Sequence, residues 1–253
     1  MKRLPERQDY MNRKINLILS LLIFLFLCIT GSGYAAEGLP AGNEIERISY
    51  IQKEFDDSRL YNSIWWYGWM GIYGGTAAVS FSIGLSSDDD TVKITQVVSG
   101  IQSVIGLAGL ALSPMPPAYA GSELREMPVS TPDEKMLKLS RGEKLLQETA
   151  EVQEFGSSWI THFLNLAVGA SGALVIWKVY DDEIDDAGGD PDKEALNNFL
   201  LSFIIGEMQI FSQPTGGIKA WTRYRELFRP DINSRIIIVP QYNGLAAGAV
   251  YTF

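Results

Sequence analysis

The sequence predicts a mainly α-helical, membrane-associated protein in which two duplicated helical hairpins make a four-helix arrangement. Amphipathic surface helices accompany the hairpins, and a short β-hairpin ends the chain. Three observations predict this class: four long apolar blocks, a proline stop after the second block, and identical residue pairs one hundred positions apart. With 253 residues and 46% hydrophobic content, the chain is too apolar to be disordered by default.

The first 36 residues have the organisation of a secretory signal peptide. A cationic segment at residues 12–14 precedes an apolar run at 17–29, and small residues lead to Ala36. This order of charge, short apolar helix and small residues is typical of a cleaved leader. Met11 is the better start, because the residues before it add charge that such leaders rarely carry. An uncleaved anchor helix is the alternative, although the run is shorter than the ~20 residues that a span needs.

Cysteine usage limits the chemistry of the mature chain. Cys28 is the only cysteine and lies inside the leader, so neither a disulfide nor thiol chemistry is expected after cleavage. Lipidation at Cys28 is disfavoured, because Leu27 stands where a lipoprotein leader has a small residue.

Four apolar blocks follow, each long enough to suggest a membrane helix. They cover residues 60–85, 94–112, 156–177 and 196–218. Aromatic residues gather near block ends and small residues fill the interiors, as in membrane helices that have interfacial belts and close contacts. Glu207 interrupts the fourth block, for which a partly buried soluble helix is the alternative. A soluble bundle with fully apolar core helices is the alternative for all four.

Two charged segments, 43–57 and 132–154, are expected to form amphipathic helices on a surface or at the base of the hairpins. The apolar positions assigned to one face of each helix are Ile45, Ile48 and Ile51 in the first, and Leu137, Leu145 and Leu146 in the second.

Identical residues recur at a fixed spacing and predict an internal duplication. The pairs one hundred positions apart are Glu54-Phe55 with Glu154-Phe155, Ile105-Gly106 with Ile205-Gly206, Pro114 with Pro214, and Arg125-Glu126 with Arg225-Glu226. Trp65 and Trp159 match at a spacing of ninety-four, as do Gly75 and Gly169. We interpret residues 37–130 and 131–230 as two copies of one unit: surface helix, apolar hairpin with an acidic tip, and proline stop.

Charge is distributed unevenly along these units. The hairpin tips, at 86–90 and 181–194, are strongly acidic, whereas most Lys and Arg lie at the hairpin bases. If the leader exports the chain, the bases face the periplasm, which reverses the positive-inside rule for an inner-membrane protein. The outer membrane is therefore the expected location, with the inner membrane and the periplasm as alternatives. A net charge of −9 argues against nucleic-acid binding, which needs clustered Lys and Arg.

The last segment, 231–253, is predicted to form a β-hairpin. Two strands, 235–239 and 245–253, flank Asn243-Gly244, a pair typical of a type I′ turn. The terminal Tyr251-Thr252-Phe253 resembles the aromatic-ended sorting strand of outer-membrane barrel proteins. One hairpin cannot close a barrel by itself, so three alternatives stand: a sheet shared by several chains, a strand added to a partner, or packing on the helices.

Candidate chemistry is sparse, and no cofactor, catalytic residue or enzymatic activity is expected. His162 and Glu207 are ionisable groups within apolar blocks and form a possible intramembrane polar pair. A calcium-type loop fits poorly, because Ala187 occupies a ligand position, which leaves only weak divalent-cation binding. The candidate ligands for such binding are Glu183, Asp185, Asp190 and Glu194.

These observations favour a non-enzymatic helical scaffold or assembly component of the cell envelope. Its expected partners are the lipid bilayer and either further copies of the chain or an envelope protein bound through the C-terminal strand. A small transporter or channel component that uses His162 and Glu207 is the first alternative. A soluble periplasmic helical bundle is the second.

Overall fold

A computed structural model describes residues 44–228 completely and the backbone of residues 235–241 and 244–250. The predicted leader lies outside the described residues, as do 37–43, 229–234, 242–243 and 251–253. The described part is mainly helical, which confirms the predicted class at that level.

Helix α1, Glu44–Ser86, is one continuous helix of 43 residues. The prediction of two separate segments, 43–57 and 60–85, is therefore wrong. The polar residues near this expected boundary do not cap a new helix, because their side chains bond to the carbonyl four residues earlier. Ser58 Oγ donates to Glu54 O at 2.6 Å, and Asn62 Nδ2 donates to Ser58 O at 2.7 Å. The ladder continues through the junction between the charged and apolar parts.

Helix α2, Asp90–Leu112, packs against α1 to form the first hairpin. It begins four residues before the predicted start, because the Asp89 side chain accepts a hydrogen bond from Val92 N at 3.1 Å and caps the helix. Small residues permit the close approach. A Cβ at Gly106 would lie 2.8 Å from the Tyr73 ring, so glycine leaves room for an aromatic residue there.

A proline-rich turn leads from the first hairpin to the base. Its 3₁₀ helix, Pro116–Ala118, is followed by α3, Ala120–Glu126. Helix α4, Pro132–Gly156, begins with a capping box between Thr131 and Glu134. It extends two residues beyond the predicted end.

The second hairpin consists of α5, Trp159–Val179, and α7, Pro191–Phe211, with the short helix α6, Asp181–Asp186, at its tip. The fourth apolar block, 196–218, does not form one helix. Helix α7 starts earlier, where Asp190 caps it, and ends at Phe211 before a turn that contains Pro214. The remaining residues of that block enter α8, Gly216–Phe228.

The helical faces assigned to the two base helices are wrong in part. Ile51 is buried, but Ile45 is 65% exposed. On α4, Leu145 and Leu146 are buried, whereas Leu137 is exposed. Ile45 and Ile51 are six positions apart, and six residues advance a helix by about 240°, so these two side chains cannot lie on one face. The base core is built from different neighbours, among them Phe55, Leu124, Leu139 and Tyr224.

Two strands follow the helices. Strand β1, Arg235–Gln241, pairs antiparallel with β2, Gly244–Val250, and Gln241 lies opposite Gly244. Gly244 thus belongs to β2 rather than to the centre of a turn. The predictions of turn type and of an aromatic sorting end fall on residues outside the described part and stay predictions.

The order of the helices is compatible with two copies of one unit. In the first copy, the base helix and first hairpin helix are fused in α1, whereas α4 and α5 are separated at Ser157 and Ser158. The matched tryptophans differ in environment, since Trp65 is buried and Trp159 is 75% exposed. The duplication stays a prediction.

Candidate functional site

The outer surface of the hairpins is apolar. Large hydrophobic side chains that would be buried in a water-soluble bundle are exposed along all four hairpin helices, and Phe211 reaches 79% and Leu85 77% exposure. Further members of this surface are Leu60, Ile64, Ile72, Val79, Ile83, Ile101, Val104, Phe163, Leu166, Leu174, Leu196, Leu200, Leu201, Ile204 and Met208. Exposed apolar surface of this extent marks a contact with lipid or with another protein.

Polar side chains lie between the hairpins and form hydrogen bonds from one hairpin to the other. Tyr73 Oη donates to Gln209 Oε1 at 2.7 Å, and the indole nitrogens of Trp65 and Trp69 each donate to Ser212 Oγ at 3.1 Å. These bonds join α1 to the end of α7. Polar groups thus meet between the hairpins beside buried apolar residues such as Val98, Leu110 and Ile176, while further apolar side chains cover the outside.

A second polar layer lies nearer the tip. Asn198 Nδ2 donates to Gln102 Oε1 at 3.1 Å and to Ser99 Oγ at 3.2 Å, while Gln102 Nε2 donates to Val168 O at 3.1 Å. A Cβ at Gly172 would lie 2.7 Å from Asn198 Oδ1, so this glycine provides the space for the amides. The layer joins α2, α5 and α7 by interhelical hydrogen bonds of the kind that hold membrane helices together.

Two of the described helices, α2 and α5, are long and apolar enough to cross a membrane. Only 28% of the apolar window of α2 and 17% of that of α5 is buried within the chain. Core helices of a soluble protein would be mostly buried. Most of the surface of these two apolar segments is therefore not covered by the rest of the described chain.

Charge separates the two ends of the hairpins. We call residues 86–93 and 178–194 the tip, and residues 44–59, 119–157 and 213–228 the base. The tip has eleven carboxylates and three lysines, and the base has fourteen carboxylates and eleven Lys or Arg. Both parts of the tip lie together, because Ile184 of α6 packs against Val98 of α2. The cationic residues do gather at the base, as predicted, but carboxylates surround them there.

A buried ionic cluster holds the base together. Arg47 Nε donates to Tyr224 Oη at 2.8 Å, and Glu143 Oε1 accepts from both the Arg47 guanidinium and the Tyr224 hydroxyl. Side-chain exposure is only 3% for Arg47 and 7% for Glu143, and Tyr224 is fully buried. We call these three residues the base triad. It connects α1, α4 and α8.

Burial and its partners shift the titration of the base triad. Burial, followed by the hydrogen bond to Glu143, raises the pKa of the Tyr224 hydroxyl well above its ordinary value, against the opposing effect of Arg47. Burial also disfavours the charge of Arg47, but the hydrogen bond to Tyr224 and the charge of Glu143 outweigh it and raise the pKa of Arg47. Tyr224 and Arg47 therefore hold their protons more firmly in the native base than in the unfolded chain.

We expect Tyr224→Phe to reduce the fall of the unfolding free energy with rising pH above about pH 10. Above about pH 10 an unfolded tyrosine loses its proton while native Tyr224 keeps it, so wild-type stability falls by up to ~1.4 kcal/mol per pH unit from this group. Below that pH its contribution is fully present. Denaturant unfolding at a series of pH values between 7 and 11 tests the difference in slope between the wild type and Tyr224→Phe. Equal slopes for wild type and Tyr224→Phe would contradict the prediction.

The structure brings the predicted polar pair together. His162 Nδ1 lies 2.8 Å from Glu207 Oε2, and Asn165 Nδ2 donates to Glu207 Oε1 at 2.9 Å and to Phe203 O at 3.0 Å. The Phe211 ring lies beside the imidazole, with 5.5 Å between ring centroids. Side-chain exposure is 34% for His162 and 17% for Glu207. The pair joins α5 to α7 and lies beside an outward groove.

The weak divalent-cation candidates are not brought together as a metal site. Glu183 and Asp185 lie on α6, and Asp190 caps α7 by accepting a hydrogen bond from Lys193 N at 3.1 Å. Glu194 lies in the first turn of α7. Among the described residues, no group of three or more His, Cys, Asp or Glu side chains is placed to hold a metal ion. Residues 183–186 are already helical in α6, whereas the first ligands of a calcium hand lie in a turning loop.

Sequence reasoning missed the base triad and the amide layer. The members of the triad are separated by up to 177 positions, and no local pattern links them. Asn198 and Gln102 offered a signal, because amides inside apolar blocks need partners. Comparison of the chain with protein-family models, with curated proteins and with solved structures finds no match.

Proposed function

We propose that this protein is a non-enzymatic helical scaffold of the cell envelope, with its two hairpins embedded in a lipid bilayer and its base in water. The observation that carries the proposal is the exposure of large apolar side chains over the outside of the hairpins, together with the hydrogen bonds that Gln102, Asn198 and Gln209 make between helices. Lipid is the surrounding in which this pattern is stable, because it solvates apolar side chains and leaves polar ones to find each other.

The dimensions agree with this placement. Helices α2 and α5 have 23 and 21 residues, and about 20 residues cross the hydrocarbon core of a bilayer. Helix α7 also has 21 residues, but its first four belong to the charged tip and Glu207 interrupts its apolar part, so α2 and α5 alone carry the argument from length. Helix α1 is much longer, and its first part belongs to the base, where Arg47 and Phe55 are buried by protein. The base thus supplies a folded, charged domain beside the membrane.

The outer membrane is the membrane we propose. Lys and Arg are fewer at the tip than at the base, and a secretory leader would place the base in the periplasm. That orientation is unfavourable for insertion in the inner membrane. A periplasmic base of mixed charge is suited to contact further copies of the chain or an envelope protein, which is the assembly role we propose.

The transporter alternative is less well supported by the described residues. The groove beside Glu207 is lined by one face of α7 over about two turns, and it opens outward rather than between the hairpins. A carboxylate in such a position does not define a path through the membrane. We therefore propose the scaffold role and not transport.

Fractionation of cells tests the proposal. We expect the chain to stay with membranes after carbonate extraction and to sediment with outer-membrane markers in a density gradient. Recovery in the aqueous fraction as a monodisperse, detergent-free monomer would overturn the membrane placement. Recovery with inner-membrane markers would keep the scaffold and overturn only its location.

A further inference from the structure

The groove beside Glu207 combines an apolar wall with one carboxylate. Its walls come from successive positions on a single face of α7: Phe203, Ile204, Glu207, Met208, Phe211 and Ser212. Its volume is about 460 Å³. The exposed side chains Leu200 and Leu201 continue the same apolar surface towards the tip. A long apolar chain with a polar end fits this distribution of groups.

Glu207 retains capacity for a further donor. A carboxylate has about four lone-pair sites, and the described contacts from His162 and Asn165 occupy one on each oxygen. No Lys or Arg occurs between residues 195 and 218 or between 155 and 177, so His162 is the only basic side chain in these stretches. Among the described residues, Glu207 is thus the one carboxylate that lines the groove, and a cation that donates N–H bonds can pair with it on the side away from the imidazole of His162.

The depth of Glu207 matches the headgroup region of a bilayer. Glu207 lies four residues, or about 6 Å along the axis, before the base end of α7 at Phe211. The exposed Trp159 begins the neighbouring α5 at the same end, and tryptophan is enriched at membrane interfaces. A lipid headgroup near Glu207 would direct its acyl chain along the apolar face of α7.

We propose that this groove is a binding site for a phospholipid with a primary-amine headgroup. The ammonium donates to Glu207, which Asn165 and His162 hold in place, and the acyl chain covers Leu200, Leu201 and Ile204. The inference rests on the proposed membrane placement and adds a lipid selectivity that a scaffold alone does not require. A quaternary ammonium headgroup has no N–H to donate, and an anionic headgroup is repelled.

Lipid competition tests the site. The purified full chain in detergent is incubated with equal amounts of dioleoyl phosphatidylethanolamine, phosphatidylcholine and phosphatidylglycerol, and retained lipid is measured by mass spectrometry. We expect the wild type to retain phosphatidylethanolamine about tenfold over the other two, the range of one charge-assisted hydrogen bond. Glu207→Gln, which keeps the shape and the Asn165 contact, should abolish the preference.

The control is Glu226→Gln, an equal change of charge at an exposed position of α8, which should keep the preference. Equal retention of all three lipids by the wild type, or an unchanged preference in Glu207→Gln, would overturn the lipid site. Loss of preference in Glu226→Gln would also overturn it, because net charge would then explain the effect. Flotation of the chain with vesicles is a separate test of the membrane placement. If the chain floats but retains all three lipids equally, the lipid site fails and the membrane placement stands; if it does not float, the membrane placement fails.

Discussion

Glu143→Leu is expected to destabilise the base by about 3–5 kcal/mol. The change leaves the guanidinium of Arg47 buried without its carboxylate and removes the acceptor of the Tyr224 hydroxyl. An uncompensated buried charge is costly, because the interior cannot replace the water that the charge has lost. Detergent or urea unfolding of the full chain, followed through its six tryptophans, measures the change.

The double variant Arg47→Met with Glu143→Leu separates charge from packing. A buried ion pair replaced by apolar side chains of similar volume is often close to neutral, so we expect the double variant to recover the part of the stability lost to the unpaired guanidinium. The Tyr224 hydroxyl stays buried without its acceptor, so adding Tyr224→Phe should recover the rest. Glu154→Leu, at an exposed position of the same helix, is the matched control and should have little effect. A single Glu143→Leu variant as stable as this control would show that the triad is dispensable.

Leu201→Lys is expected to lower the stability of the bilayer-embedded protein by about 2.5–3.5 kcal/mol, the cost of a lysine at the centre of a membrane helix. Leu201 is the middle residue of α7 and is 63% exposed on the apolar surface. In a water-soluble bundle the same substitution would change the stability little, because lysine is well solvated on a surface that faces water. Unfolding of the chain reconstituted in vesicles gives the measurement.

Leu227→Lys supplies the comparison. Leu227 is 56% exposed on α8 at the base, which we place in water, so lysine should be tolerated there. The two substitutions are chemically identical and begin from similar exposure. Their difference in unfolding free energy therefore reports the surroundings of the hairpins. Equal stability of the two variants would contradict the embedding of α7.

Periodicity and composition were sufficient to predict the helical class and most of the helical segments. Local polar signals set the ends: Asp89 and Asp190 cap helices, and prolines follow α2 and α7. The boundary expected within α1 was wrong because a change from charged to apolar composition does not break a helix. Helix breaks need a cap, a proline or a glycine in a special conformation.

The candidate site was only partly accessible from sequence. His162 and Glu207 attracted attention because ionisable groups are rare in apolar blocks, and the structure places them in contact. The groove beside them depends on which face of α7 turns outward, and helix rotation is fixed by tertiary contacts such as Tyr73 with Gln209. The base triad requires three distant segments to meet, which periodicity does not encode.

The unbroken course of α1 has a mechanical consequence. At 1.5 Å per residue its 43 residues extend about 65 Å, roughly twice the hydrocarbon thickness of a bilayer. The first hairpin and the base therefore share one continuous helix, and a rotation of the base moves the first hairpin with it. The second hairpin follows the turn at Ser157 and Ser158, where the helix is interrupted between α4 and α5. A torque applied at the base would thus reach the first hairpin directly along α1, and the second only through this turn and through the hydrogen bonds between the hairpins.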